Sequence, residues 1–246
     1  MSKHLSITQI RSYLKCPLIY KFRWIDGLKI PPVSAITLGK SIHSALEINY
    51  TQKIKTKEDL PIEEVTDLFS DHWESEVKET IFEEGEKPGK VKDEGVSIIK
   101  LYHRDISPAI QPKVVEKEFE LAFENVDYTL KGYIDLIDNK TIIIDHKTTK
   151  RSMNQNAIDT DLQLTAYALA YRTIEGKKEN SLRFDIMVRN KTPKIQQLTT
   201  TRTQEDLNRF LKILAYISKA INSGIFYPNE NYFCGVCGYK ELCRKW

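Results

Sequence analysis

Between Val114 and Lys147, three strand-like segments follow one another so closely that they constrain the fold more than any other feature of the chain. Apolar residues recur there with the two-residue period of β-strands. Short polar turns at residues 124–125 and 138–139 separate the segments, as in hairpins. The sequence therefore predicts a three-stranded meander with strands at residues 114–123, 128–137 and 141–147.

Patterns with the helical period lie on both sides of this meander. Ser6 and Gln9 have the spacing of a capping box, and Pro17 marks the end of the first helix. Further helices are predicted at residues 40–50, 62–82, 95–106, 161–173 and 204–222, and further strands at 182–189 and 194–201. This order of elements predicts an α/β fold with a mixed central β-sheet and helices on both faces.

The length and composition suit a single folded domain. A chain of 246 residues can bury a full core, and Gly and Pro are too rare for a collagen-like, low-complexity or disordered chain. We expect one domain over residues 1–246, with a helical insert at residues 51–110 and a cysteine-bearing tail at residues 234–246.

Hydropathy and charge limit the location and the partners of the protein. No apolar run approaches the roughly 18 residues of a membrane helix, and residues 1–11 lack the apolar stretch of a signal peptide. We therefore expect a soluble, cytoplasmic protein without a membrane partner. The net charge of +3 hides an acidic segment, since residues 57–87 hold twelve Asp and Glu against three Lys. A solvated helical face explains this segment, while the basic remainder is compatible with a polyanionic partner.

Two aspartates interrupt the apolar pattern of neighbouring predicted strands. Asp135 lies inside the second strand, and Asp145 follows three consecutive isoleucines in the third. Burial of a carboxylate costs several kcal/mol unless a cation or donors compensate, so the two acids predict a bound cation or a specific polar network. Because side chains alternate along a strand, Lys147 projects from the same face as Asp145. An isolated Asp-X-Lys is otherwise explained by an ion pair at an exposed strand end.

These residue types together suit phosphodiester hydrolysis. A hard cation such as Mg²⁺ binds carboxylates and water, polarises a phosphate and lowers the pKa of the attacking water. A lysine beside it stabilises the negative charge that develops on the phosphate. Asp135, Asp145 and Lys147 would supply these parts, with Mg²⁺ or Mn²⁺ as the cofactor. Basic residues that follow the same strand, such as Lys150 and Arg151, offer phosphate contacts.

Two predicted helices bring further polar side chains into consideration. His43 and Glu47 are four residues apart and share a helix face, so an imidazole could complete a metal shell, while Glu47 orients His43 or binds a water next to the metal. Gln163 and Tyr167 have the same spacing on the helix after the Asp-X-Lys strand, where they could hold a water or a phosphate. Taken alone, each pair is explained by ordinary packed or solvated side chains.

The four cysteines allow several interpretations. Cys234, Cys237 and Cys243 form C-x2-C-x5-C near the end of the chain, and Cys16 lies far upstream. The lack of a signal peptide argues against a disulfide framework. A structural zinc ion is open, although zinc sites usually bring two closely spaced pairs. An iron–sulfur cluster and unconnected thiols are open as well, and the number of cysteines does not separate iron from zinc.

Taken together, these segments resemble the RecB-like branch of the PD-(D/E)XK nuclease superfamily, which includes the RecB and AddB nuclease domains and CRISPR-adaptation nucleases. The resemblance covers nearly the whole chain and keeps the order of the family's motifs. One departure is Ile134, which replaces the proline before the first acid, a change common in this branch. The matching segments are Ser-Ile-Thr at 6–8, Cys-Pro at 16–17 with Tyr20, residues 39–43, Gly-Tyr-Ile-Asp at 132–135, Ile-Asp-His-Lys at 144–147 and Gln-Leu-Thr-Ala-Tyr at 163–167.

The resemblance implies a role for each matching residue. His43, Asp135 and Asp145 become metal ligands, and the carbonyl of His146 a further one. Lys147 becomes the residue that positions or activates the nucleophile, and Gln163 and Tyr167 the supporting motif of the catalytic set. The fold implied is a restriction-endonuclease-like core with a mixed sheet, flanking helices and a helical insert.

The resemblance also implies a [4Fe-4S] cluster, which separates iron from zinc where the residues do not. Its ligands would be one early cysteine followed by proline, Cys16, and the three late ones, Cys234, Cys237 and Cys243. Such a cluster would tie the first helix to the tail and staple the termini, in a structural role.

The activity implied is metal-dependent hydrolysis of DNA, as an exonuclease on single-stranded or end-accessible DNA in repair, recombination or viral DNA processing. The partner would be DNA, with a helicase or another recombination or adaptation protein as a further candidate. Three other functions stay open: an enzyme that trims DNA before CRISPR integration, an inactive DNA-binding iron–sulfur protein, and a redox iron–sulfur protein.

Overall fold

The helices and strands that the sequence predicts are present in the predicted order, and short elements at His4–Leu5, Pro17–Tyr20, Gln155–Asp159 and Lys240–Cys243 are additional. The computed structural model describes residues 3–124 and 126–246, so Asn125 of the predicted turn lies outside the described residues. The strands are β1 (His4–Leu5), β2 (Pro112–Leu121), β3 (Thr129–Asp138), β4 (Ile142–Thr149), β5 (Ser181–Val188) and β6 (Lys194–Thr200). The helices are α1 (Ile7–Lys15), α2 (Pro17–Tyr20), α3 (Ser34–Thr56), α4 (Ile62–Glu76), α5 (Pro88–Asp105), α6 (Gln155–Asp159), α7 (Leu162–Glu175), α8 (Gln204–Asn222) and α9 (Lys240–Cys243).

The chain forms two compact units. The larger one comprises Pro31–Lys117 and Tyr133–Arg202. The smaller one comprises Met1–Ile30, Glu118–Gly132 and Thr203–Trp246. All of the predicted acidic, histidine and lysine site residues belong to the larger unit, and the four cysteines belong to the smaller one.

The sheet of the larger unit is mixed, as predicted. Here β3, β4, β5 and β6 are neighbours in this order, and β2 also pairs with β3. β3 and β4 are antiparallel, with Leu136 opposite Ile144. β4 and β5 run parallel with Asp145 beside Phe184, and β6 returns antiparallel to β5. The parallel pair places the carboxyl ends of β4 and β5 at one edge of the sheet.

The core of the larger unit lies between the sheet and a layer made of α3, α4 and α5. Leu136, Ile144 and Met187 face this layer and join a buried cluster with Phe69 and Trp73, which lie on α4. α7 contacts β4 and β5 as well. Since alternate side chains of a strand point to opposite faces, Asp145 and Lys147 project away from the cluster that contains Ile144. The predicted fold class, an α/β sheet flanked by helices, is confirmed.

The boundaries of three helices differ from the prediction. α5 begins at Pro88 and not at residue 95, with the proline in its first turn. α3 begins before residue 40, at Ser34, and ends at Thr56, where the next residue, Lys57, adopts the left-handed conformation with φ 69°. α4 ends at Glu76 and not near residue 82, because a 3-10 turn follows and Ile81 forms a parallel bridge with Val33. Backbone hydrogen bonds of 2.9 and 3.0 Å join Ile81 to Pro32 and Ser34. An extended residue bonded in this way cannot continue a helix.

The smaller unit carries the first and the last helical segments. The capping box predicted at the chain start is confirmed, since Ser6 Oγ accepts from Gln9 N at 3.3 Å and Gln9 Oε1 accepts from Ser6 N at 2.7 Å. β1 pairs in parallel with the start of β3, with Leu5 beside Leu130. Among the described residues, no helix combines the length and the apolar character that a membrane crossing requires.

Candidate active site

Asp145 and Lys147 on β4 form an ion pair. Lys147 Nζ lies 2.6 Å from Asp145 Oδ2, as strand alternation predicts for residues two apart. Asp145 is fully buried, and its other oxygen, Oδ1, has no hydrogen-bond partner among the described residues. Burial of Asp145, reinforced by the nearby negative charge of Asp135, raises the pKa of this carboxyl group, while Lys147 and His43 oppose the shift. A buried carboxylate with an unsatisfied oxygen is suited to bind a cation.

A chain of hydrogen bonds connects this ion pair to the second acid. Lys147 Nζ donates to Gln163 Oε1 at 2.8 Å, and Gln163 Nε2 donates to the Tyr167 hydroxyl at 2.8 Å. The Tyr167 hydroxyl donates in turn to Asp135 Oδ1 at 3.0 Å. Two strands and α7 thus bring five of the predicted residues into one continuous polar arc that runs from Asp145 to Asp135.

The start of α7 is held in place from two directions. Asp161 caps the helix by accepting from Gln163 N at 2.8 Å and from Leu164 N at 3.1 Å. Arg202, which is 1% exposed, donates to the carbonyl oxygens of Ile158 and Asp161 and to Thr165 Oγ1. The position of Gln163 in the arc therefore depends on the buried guanidinium of Arg202.

His43 on α3 contacts the second oxygen of Asp135. Its Nδ1 lies 3.3 Å from Asp135 Oδ2, and its Nε2 lies 2.7 Å from the His146 carbonyl oxygen. Gly39, one turn earlier on α3, makes this approach feasible, because a Cβ atom there would lie 3.1 Å from Thr148 Oγ1 on β4. The glycine of the 39–43 motif thus serves close packing of the helix against the strand. Glu47 is exposed, and no hydrogen bond joins it to His43 within the described residues, so a direct contact that orients His43 is not observed, and the binding of a water by Glu47 stays a prediction.

His43 and the groups around it form a cluster of possible metal ligands. The side-chain ligand atoms of His43, Asp135 and His146 all lie within 4.8 Å of one another. Carboxylate, carbonyl and imidazole groups are the donors that Mn²⁺ and Mg²⁺ sites use. This donor set fits a divalent cation, and the carboxylate of Asp145 is not part of the group whose ligand atoms lie within 4.8 Å of one another.

The His146 side chain points away from Asp145 and enters a buried network. Its Nε2 lies 3.0 Å from the Tyr102 hydroxyl, which donates to Asp185 Oδ2 at 2.9 Å. Burial, together with the charge of His43, lowers the pKa of the His146 imidazole to about 4, so the ring is neutral at pH 7. The backbone of His146 also serves the site, since its N–H donates to Asp135 Oδ2 at 3.2 Å. Arg183, one of the basic residues of the sequence, is held in a bidentate ion pair with Asp185.

Glu116 is a candidate site residue that the sequence analysis missed. It lies on β2 with φ 47°, a left-handed conformation that is uncommon for residues other than glycine. Burial, and then the negative charges of Asp135 and Glu47, raise the pKa of Glu116 to about 7. No pattern in the strand distinguishes Glu116 from the other glutamates nearby, so only its position in space identifies it. The sequence analysis also missed Tyr102 and Asp185, because only the structure shows that they meet next to His146.

The glycine of the Gly-Tyr-Ile-Asp motif has a packing role in the smaller unit. A Cβ atom on Gly132 would lie 2.8 Å from the ring of Phe119 on β2. The absence of a side chain therefore lets the aromatic ring lie directly over β3. This contact lies three residues before Asp135 in the sequence.

The four cysteines line one cavity of about 400 Å³ in the smaller unit. Cys16 is buried beside Leu18, Phe22 and Tyr239, and Cys237 and Cys243 pack against the same cluster. Burial, followed by the proximity of the other three cysteines, raises the pKa of the Cys243 thiol. Two backbone N–H groups donate to sulfur, from Asn229 to Cys16 Sγ and from Asn231 to Cys234 Sγ, each at 3.4 Å. Residues distant in sequence thus form one sulfur-lined pocket.

Comparison with known proteins defines the family. The family model of the PD-(D/E)XK nuclease superfamily matches residues 4–244. The chain therefore belongs to this superfamily, and it is a nuclease of the class that uses divalent metals. A search of curated proteins finds no match.

Two solved structures resemble the chain. One is described as a "putative exonuclease" from Eubacterium rectale, with a TM-score of 0.65 and 13% identity over 99% of this chain and 88% of that one. The other is SSO0001, with a TM-score of 0.42 and 13% identity over 97% of this chain and 95% of that one. At this level of identity, the first likeness supports the α/β fold.

Proposed function

We propose that this protein is a Mg²⁺- or Mn²⁺-dependent deoxyribonuclease that acts as an exonuclease on single-stranded or end-accessible DNA. The observation that carries the proposal is the polar arc from Asp145 through Lys147, Gln163 and Tyr167 to Asp135. It connects the ammonium group of Lys147, directly or through hydrogen bonds, to two carboxylates that lie ten positions apart in the sequence. His43 and the His146 carbonyl lie beside Asp135 and complete the donor set.

Each residue of the arc has a distinct task in this proposal. The bound cation would polarise the phosphate and lower the pKa of the attacking water. Asp135, Asp145, His43 and the His146 carbonyl would hold the cation. Lys147, fixed by Asp145 and Gln163, would place its positive charge beside the phosphate oxygens, where negative charge develops during attack. Through their hydrogen bonds, Tyr167 would hold the carboxylate of Asp135 and Gln163 would hold the ammonium group of Lys147 in position.

The first test is a cleavage assay on linear and circular DNA, single- and double-stranded, with Mg²⁺, Mn²⁺ or EDTA. The wild type is compared with Asp145→Asn, which keeps the shape of the side chain and removes its charge. We expect metal-dependent loss of linear DNA, a fall of about 10³-fold in the variant, and intact circles. Cleavage of circles would replace the exonuclease assignment with an endonuclease. DNA binding without cleavage under either metal would favour an inactive DNA-binding protein.

We further propose that Cys16, Cys234, Cys237 and Cys243 hold a [4Fe-4S] cluster. The shared cavity supports this assignment, as do the two N–H···S contacts. A single tetrahedral zinc, with Zn–S of about 2.3 Å, needs sulfur atoms roughly 3.8 Å apart. Within the described residues, no three cysteine sulfur atoms lie within 4.8 Å of one another.

The cluster proposal is tested on anaerobically purified protein by metal and sulfide analysis and by electron paramagnetic resonance after reduction. We expect about four irons and four sulfides per chain. Cys16→Ser is expected to lower the iron content and the melting temperature together, because Cys16 links the first helix to the tail. One zinc per chain without sulfide would overturn the proposal. A cluster that cycles reversibly in electrochemistry would indicate a redox role beyond a structural one.

The biological setting follows from the same proposal. A DNA exonuclease of this kind would act in the cytoplasm in repair, recombination or viral DNA processing, with a helicase or an adaptation protein as a partner. Genomic neighbours of the gene would test this: helicase or repair genes would support the setting, and CRISPR genes would favour trimming before integration.

A further inference from the structure

A second cavity, of about 530 Å³, lies in the larger unit at the carboxyl ends of β4 and β5. Lys150 follows β4 and Arg189 follows β5, and the two strand ends are joined by a hydrogen bond of 2.8 Å from Arg189 N to Thr149 O. The opposite wall is the first turn of α5, including Lys90. Lys150 stands three residues after Lys147, so its backbone lies at most about 10 Å from that of the catalytic lysine.

Arg189 is the unusual residue of this cavity. It is 5% exposed, and its Nη1 donates to Glu94 Oε2 at 2.9 Å. Its Nη2 is buried and has no hydrogen-bond partner among the described residues. A guanidinium presents parallel donors to a planar or tetrahedral oxyanion, and a buried charged donor without an acceptor is costly. The arrangement favours a bound anion that supplies the missing acceptor.

The charges that line the cavity also favour an anion. Besides Arg189 and Lys150, it is lined by Lys87, Lys90 and Lys191, against two acids, Glu86 and Glu94. Glu86 is already engaged by Lys150 at 3.1 Å and by Ser34 Oγ at 2.6 Å. Within the described part of the chain, Lys87, Lys90 and Lys191 form no ion pair. The lining therefore carries an excess of positive charge.

The start of α5 adds a third contribution. This helix of 18 residues begins at Pro88, has no side-chain cap at Lys87 and has no acid in its first turn. The N-terminus of such a helix carries partial positive charge and backbone N–H groups without partners, which together favour anions. By contrast, the side chain of Asp161 accepts hydrogen bonds from backbone N–H groups in the first turn of α7.

We propose that this cavity binds a phosphoryl group of the nucleic-acid strand, next to the scissile phosphate. The inference rests on the proposed nuclease function and adds a second anchoring point for the strand. Several donors on different elements suit a group with more than two oxygens, which favours phosphoryl over carboxylate. The group is either an internal phosphodiester or a terminal phosphate, because both present the same oxygens.

The test measures binding of labelled single-stranded oligonucleotides to the full chain in EDTA, so that cleavage does not interfere. Lys90→Gln/Lys191→Gln removes two exposed charges of the cavity, and Lys55→Gln/Lys100→Gln removes two exposed charges outside it. We expect the cavity variant to bind about 10-fold more weakly near 0.1 M salt and to lower the salt slope by roughly 1 to 2, while the control changes by less than about twofold. Arg189→Lys is expected to weaken binding in the same direction if it folds.

Oligonucleotides with a 5′-phosphate, a 3′-phosphate or only hydroxyl ends distinguish the two sources of the group. An equal loss for all three supports an internal phosphodiester, and a loss confined to one phosphorylated end supports a terminal phosphate. Equal binding by the cavity and control variants would overturn the proposal, as would a thermal shift with inorganic phosphate but no effect on oligonucleotides. Since binding is measured without metal, a protein that binds through this cavity and never cuts would contradict the nuclease proposal alone.

Discussion

The Tyr167 hydroxyl donates to Asp135 Oδ1 at 3.0 Å and accepts from Gln163 Nε2 at 2.8 Å. Tyr167 is buried, and burial together with the neighbouring acids holds its pKa well above the usual value, so it remains a hydrogen-bond donor. One phenol thus connects the acid of β3 to the glutamine that contacts Lys147.

Replacement of Tyr167 by Phe should lower cleavage about 10- to 100-fold, because removal of a group that orients a ligand typically costs this much. The metal concentration needed for half-maximal activity should rise as Asp135 loses its donor. Tyr171→Phe is the matched control, since Tyr171 lies one turn later on α7 and is also buried. Equal losses in both variants would indicate general damage to the helix and contradict the specific role.

Lys147→Met should abolish detectable cleavage and also change stability in a metal-dependent way. Asp145 would lose its ion-pair partner in the buried site, which should destabilise the EDTA-treated protein by about 2 kcal/mol. Mn²⁺ should restore much of this stability without restoring activity. The measurement is thermal denaturation in EDTA and in Mn²⁺, beside the cleavage assay. Activity that survives the substitution would rule out a catalytic role for the lysine.

Glu116 gives the metal-free protein a predictable pH dependence. Its pKa in the folded state is about 7, above the ordinary value of 4.5, so the folded state holds more protons than the unfolded state between these pH values. Stability therefore falls as the pH rises from about 4.5 through 7. The contribution is on the order of 1 to 2 kcal/mol, allowing for partial exposure of the side chain.

Glu116→Gln should remove this slope, so that the variant is more stable than the wild type above pH 7 and similar to it near pH 5. Melting temperatures in EDTA from pH 5 to pH 8 provide the measurement. Parallel curves for the two proteins across that range would show that Glu116 titrates normally.

Asn231→Ala should make the proposed cluster more labile. Asn231 donates its backbone N–H to Cys234 Sγ, and its side chain accepts from Phe233 N and donates to the Asn229 carbonyl. Loss of the side-chain bonds leaves the cysteine loop less ordered. We expect a severalfold faster loss of iron to a chelator, with Asn208→Ala, on the exposed face of α8, as the control. Identical rates would show that the loop is held by the cysteines alone.

Arg202→Lys should impair catalysis from a distance. Lysine cannot reproduce the contacts to Thr165, Ile158 and Asp161 that fix the start of α7. We expect a loss of about 2 to 4 kcal/mol in the free energy of unfolding, and a lower kcat with little change in KM below the melting temperature. Arg209→Lys on the exposed face of α8 is the control. A change confined to KM would contradict a positioning role for Arg202.

Local patterns were sufficient to predict most of the helices and strands and the strand that carries Asp145 and Lys147. The period of the apolar residues identified the meander, and the spacing of Asp145 and Lys147 required that they share a face, because strand side chains alternate. The capping box at Ser6 was equally predictable, since its partners are three residues apart. These features depend on contacts between near neighbours in the chain.

Only the tertiary structure decided which of the many acids and basic residues meet. The sequence does not distinguish Glu116 from the other glutamates of its strand, and only the structure shows that it lies near Asp135. The sequence likewise gives no sign that Arg183 forms an ion pair with Asp185. Lys150 and Arg189 share a cavity because β4 and β5 run parallel and end at one edge. Such relations arise between residues distant in sequence, where burial and unsatisfied hydrogen bonds, and not periodicity, determine the chemistry.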